Sequence, residues 1–121
     1  MYNMNLRQTM NEWSGSAYDV AGRNHKRNFH IRGKKHLRQL ANSLGILNAD
    51  ISSCHAGMAV AGEVILHSDN LYVCVSKDFA YFRICANRED YSGGQNYNFD
   101  PMMLTIPESL SVYIRTILNH I

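Results

Sequence analysis

The sequence predicts an α+β domain: a three-stranded antiparallel β-meander, an N-terminal helical region before it, and a C-terminal helix packed on one face of the sheet. Three observations lead there. The runs "MAVAGEVILHS", "LYVCVS" and "AYFRICA" are strand-like and are separated by turn-forming residues. Leu37, Leu40, Ala41 and Leu44 recur at helical spacing. The chain closes on "LTIPESLSVYIRTILNHI", whose apolar positions fall on one helical stripe.

In chain order, residues 4–14 form a short helix, because Leu6, Met10 and Trp13 fall at i, i+4 and i+7 before Gly15. "SGSAYDVAG" then reads as a loop, rich in small residues. Residues 34–44 form a second helix, with Gly45 at the position of a left-handed cap. Its first turn is cationic, the unfavourable sign beside the positive end of a helix dipole, and a bound anion would reverse that penalty. The meander follows. A two-residue turn at Asp69–Asn70 sets Leu66 against Val73 and Val64 against Val75. A second turn at Lys77–Asp78 sets Val73 against Phe82 and Leu71 against Ile84, so all three strands share one apolar face. Thr105 and Glu108 read as a capping box for the last helix, with Pro107 in its first turn.

At 121 residues the chain is expected to be one domain, residues 1–121, with 1–22 as a peripheral N-terminal segment and 87–104 as a long loop. No apolar run is long enough to span a bilayer, and the N-terminus lacks the apolar centre of a secretory signal. Three cysteines at wide spacing do not make a disulfide framework. These features predict a soluble, cytoplasmic protein with no membrane association.

The charge is unevenly placed. "GRNHKRNFHIRGKKHLRQLANSLG", residues 22–45, carries seven of the twelve Lys and Arg and no acid, whereas the remainder carries five basic and ten acidic residues. Arg23, Lys26, Arg27, Arg32, Lys34, Lys35 and Arg38 are therefore the candidate contacts to a polyanion, since clustered cations release condensed counterions from phosphates. The other reading is a solvated cationic surface with no ligand. The expected register also places His67, Tyr72 and Arg83 in one cross-strand row and Ile65, Cys74 and Tyr81 in the next. Tyr72, Tyr81 and Arg83 would then offer a stacking surface for unpaired bases. The competing reading covers that face with the N-terminal segment or with Tyr91, Tyr97 and Phe99 of the long loop.

Other chemistries find little support. His25, His30 and His36 are not spaced as metal ligands on a helix, and Cys54–His55 has no CxxC or HxxxH partner. "YSGGQNYNF" lacks the Lys-Ser/Thr of a phosphate loop. Cys54 as nucleophile, or Glu89, Asp90 and Asp100 as cation ligands, define a small hydrolase only as a lower alternative. We expect no catalytic residue, no metal and no cofactor.

The basic stretch together with "ANREDYSGGQNYNFD" resembles small accessory proteins of phages and plasmids. That resemblance implies nucleic-acid binders and inhibitors of host-defence complexes, anti-CRISPR proteins among them, and transfers no activity residue by residue. The expectation is thus a non-enzymatic binder using residues 23–38 to contact nucleic acid or a nucleoprotein complex. The alternative is an inhibitor that docks an acidic protein surface. An exposed strand edge leaves a homodimer open.

Overall fold

A computed structural model describes residues 4–84 and 95–119. Three helices lie on one face of a five-stranded antiparallel sheet, so the fold is α+β with two more strands than the sequence predicts. The helices are α1 (Leu6–Glu12), α2 (Val20–Ser43) and α3 (Pro107–Leu118). The strands are β1 (Asp50–Cys54), β2 (Glu63–His67), β3 (Leu71–Val75), β4 (Ala80–Ile84) and β5 (Asn96–Asn98), paired in chain order. Among the described residues no helix is long and apolar enough to cross a membrane.

The register of the central strands is the one read from the sequence. Leu66 pairs with Val73 and Val64 with Val75, while Val73 pairs with Phe82 and Leu71 with Ile84. Both two-residue turns close as expected, with Ser68 N–H donating to Leu71 O and Ser76 N–H to Phe79 O. Strand β1 is added outside β2, and β5 outside β4, taking residues 96–98 out of the expected loop. Residues 85–94, which hold Glu89, Asp90, Tyr91 and Cys85, lie outside the described part of the chain.

Helix α2 departs most from expectation. It spans 24 residues and takes in nearly all of the basic segment, not 34–44 alone. Asp19 caps it, its carboxylate accepting from Gly22 N–H at 2.7 Å, and Gly45 ends it at φ +72° as expected. Lys34 and Lys35 therefore sit in mid-helix, and the argument for an anion at a helix start there falls. Gly33 faces the sheet: a Cβ there would meet both Val64 methyl carbons at 3.1 Å, so its absence lets α2 lie close on β2.

The core lies between helices and sheet. Phe29, Leu37 and Leu40 of α2 meet Val64, Leu66, Val73, Val75 and Phe82 of the sheet and Leu110 and Ile114 of α3, all fully buried. The segment expected to be peripheral supplies Leu6, Met10 and Trp13 to this core. Helix α3 starts at Pro107 without the expected capping box. A 3-10 turn over Pro101–Thr105, capped by Asp100, precedes it. That turn occupies the Thr105 hydroxyl, which donates to Met102 O at 2.6 Å.

Candidate polyanion interface on helix α2

The buried side of α2 in its first half is polar, and that decides which cations are available. Lys26 is buried, and its ammonium donates to Gly57 O at 2.8 Å and Val60 O at 3.0 Å. It clamps the β1–β2 connection. One turn later, His30 Nε2 lies 2.8 Å from Ala61 O. A carbonyl only accepts, so Nε2 carries the proton and Nδ1 is bare; Nδ1 is buried with no partner among the described residues. His55 stacks on this ring at 4.0 Å between centroids. Burial holds the His30 pKa down to about 4, against the Ala61 hydrogen bond and with help from His55, Lys26 and Lys34. On the other flank Asn28 donates to Met4 O and Thr9 Oγ1, fastening α1 to α2. Arg32 is half-buried and spends its Nε–H on Asn28 Oδ1 at 2.8 Å.

Five cations remain toward solvent. Arg23, Arg27, Lys35 and Arg38 are exposed and Lys34 is half-exposed. Arg23, Arg27, Lys34 and Arg38, at spacings of four, seven and four, share one face of α2 with Lys35 at its edge, opposite the face that Gly33 and Phe29 turn to the sheet. From Arg23 to Arg38 the stripe runs about 22 Å at the helical rise. No acidic side chain among the described residues forms an ion pair with any of the five. Arg23 donates to Tyr18 O and Arg38 to Ala49 O, at 3.3 and 3.4 Å. Like charges at Arg23/Arg27, Lys34/Arg38 and Lys35/Arg38 together cost the helix about 1 kcal/mol. A polyanion along the stripe would relieve that repulsion.

The second group of candidate residues lies elsewhere. Tyr72, Tyr81 and Arg83 share the opposite face of the sheet, in the rows Asp50–His67–Tyr72–Arg83–Asn96 and Ser52–Ile65–Cys74–Tyr81–Asn98. Tyr72, Tyr81, Arg83 and Asn96 line a shallow cleft of about 300 Å³. The two tyrosine rings stand 6.2 Å apart at 34°, and Arg83 Nε donates to Asn96 Oδ1. Burial pushes the Tyr72 phenol up to about 12 and raises that of Tyr81. Cys74 lies between them, its thiol donating to Glu63 at 3.2 Å and pushed up to about 12, chiefly by burial. That thiol is unsuited to nucleophilic work at neutral pH. The sheet stands between this cleft and the α2 stripe, so one short ligand does not reach both.

Among the described residues no three His, Cys, Asp or Glu side chains gather as a metal site. Cys54 is exposed, and the neighbouring His55 spends its contacts on His30 and on Ser53, whose Oγ lies 3.4 Å from His55 Nε2. Asp100 caps the 3-10 turn.

The structure also exposes apolar residues that the sequence reading placed otherwise: Met58 and Val60, expected within the strand-like run "MAVAGEVILHS", lie in the β1–β2 connection, since β2 begins only at Glu63. Tyr18, Val20, Met58 and Val60 are each at least half exposed, as is Ile31 within the stripe. The available signal was "AGMAVAG", an uncharged run too small-residued for a core strand. The chain matches no protein-family model, and neither curated proteins nor solved structures show a significant likeness to it.

Proposed function

We propose that the protein is a non-enzymatic nucleic-acid binder whose contact surface is the solvent face of α2. The observation that carries this reading is the solvent-facing row of Arg23, Arg27, Lys34, Lys35 and Arg38, unopposed by any carboxylate among the described residues. Such a row neutralises phosphates without reading base sequence, because its contribution comes from counterion release. Lys26 and Arg32 belong to the scaffold of this surface, and the reading assigns Tyr72, Tyr81 and Arg83 no part in the same contact.

The test is fluorescence anisotropy with labelled nucleic acid across a salt series. Five phosphate contacts give a slope of log K against log salt of about −3.5 on a single strand or about −4.5 on a duplex. Seven contacts on a single strand would give about −4.9. Arg27→Glu combined with Lys35→Glu should reduce the single-strand slope to about −2 and weaken binding more than tenfold, with thermal unfolding nearly unchanged. Retained affinity in that double variant would sink the reading.

A further inference from the structure

We infer that the strand bound on α2 is unpaired, with its phosphates on the cationic stripe and its bases against an apolar shelf at the stripe's N-terminal end. This inference rests on the reading above and names its substrate class. The shelf consists of Tyr18 and Val20, 64% exposed each, and Met58 and Val60, 60% and 50% exposed. Hydrogen bonds tie the backbone around these residues to the stripe and to α2. Arg23 Nη1 donates to Tyr18 O at 3.3 Å, and Ala17 N–H donates to Met58 O at 2.7 Å. The Lys26 ammonium binds Gly57 O and Val60 O, fixing the connection on either side of Met58. Apolar side chains are thus held at the surface by a buried charge, beside the end of a row of cations.

Phosphates gain nothing from such side chains, whereas the flat face of a base does. Unpaired bases present those faces, and sequence-tolerant single-strand binding combines a cationic track with aromatic platforms, the part Tyr18 takes in the shelf. Ile31, 57% exposed in the middle of the stripe, extends the same alternation of cation and hydrocarbon. The duplex alternative fits less well. A helix reading the major groove must enter it, yet α2 is flanked by α1 through Asn28 and by the β1–β2 connection through Lys26 and His30.

Three labelled probes test this across a salt series: an oligothymidylate, an abasic oligomer with the same number of phosphates, and a blunt duplex. The expected result is about tenfold tighter binding of oligothymidylate than of the abasic oligomer at equal salt slope. Tyr18→Ser with Met58→Ser should abolish that difference while leaving the slope intact. Both positions are exposed, and an unchanged unfolding midpoint verifies the fold of the variant. Equal affinity for base-bearing and abasic probes, or tighter binding of the duplex, would overturn the inference and leave the shelf to a protein partner. Failure of all three probes to bind even at low salt would instead remove the underlying reading of α2.

Discussion

Acidification should destabilise this protein through a buried histidine. His30 is 1% exposed, and among the described residues its one polar partner is the Ala61 carbonyl. Protonating it would bury a second N–H with no acceptor, beside the stacked His55 ring and the charges of Lys26 and Lys34. The folded pKa of about 4 lies below the ordinary 6.5 of an unfolded histidine. In that window the unfolded chain binds a proton that the folded chain does not. Stability is therefore complete above pH 6.5 and falls as the pH drops toward 4. Integrating the linkage for this one site gives a loss of about 2 kcal/mol between pH 7 and pH 5, and roughly 3 kcal/mol by pH 4. His36, whose pKa is also lowered mainly by burial, acts in the same direction, so a variant is needed to separate the two. Glutamine at position 30 can donate to Ala61 O without titrating. Urea unfolding of wild type and His30→Gln at pH 7 and pH 5 isolates the contribution. The wild-type midpoint should fall by roughly 1 M urea more than that of the variant. Equal losses in the two proteins would refute the assignment.

Three further outcomes follow from the same geometry. Lys26→Met should leave the salt slope of nucleic-acid binding unchanged but speed proteolysis within residues 55–61, because it removes both hydrogen bonds that hold Gly57 and Val60; a lowered slope would place Lys26 in the interface after all. Gly62→Ala should cost about 2 kcal/mol or more, since Gly62 has φ +76° and a Cβ would sit 2.3 Å from Cys54 O, and chemical unfolding measures it. Brief alkylation of the native protein followed by peptide mass mapping should label exposed Cys54 and spare Cys74, buried with its thiol pushed up to about 12; equal labelling would contradict the packing of Glu63 and Tyr81 around Cys74.

What the sequence made legible, and what it did not, follows from where apolar residues carry the structure. The β2–β4 register was readable because Val64, Leu66, Val73, Val75 and Phe82 alternate cleanly and two-residue turns fix their pairing. Strand β1 carries one aliphatic residue, Ile51, and β5 is only three residues long, so neither gives a period-two signal. The first half of α2 was missed for a different reason. Its buried positions are Gly22, His25, Lys26, Asn28, His30 and Gly33, with Phe29 the sole large apolar side chain among them. Hydrophobic periodicity cannot register a helix face sealed by hydrogen bonds. The same fact blurred the candidate site. Seven cations looked equivalent in sequence, yet Lys26 points inward to two carbonyls and Arg32 is tied to Asn28. Which side of a helix a lysine occupies depends on what the distant segment 57–60 offers it.

That polar seal gives the two halves of α2 different thermal characters. Around Leu37, Leu40 and Ala41 the helix is held by hydrocarbon, whose exposure raises heat capacity and whose grip fades on cooling. Around Lys26, Asn28 and His30 it is held by hydrogen bonds to Gly57, Val60, Met4, Thr9 and Ala61, and exposing polar groups lowers heat capacity. Cold therefore loosens the C-terminal end of the stripe relative to the N-terminal end. The hydrogen bonds near Arg23 and Arg27 should weaken less on cooling, although Phe29 adds hydrocarbon packing there too.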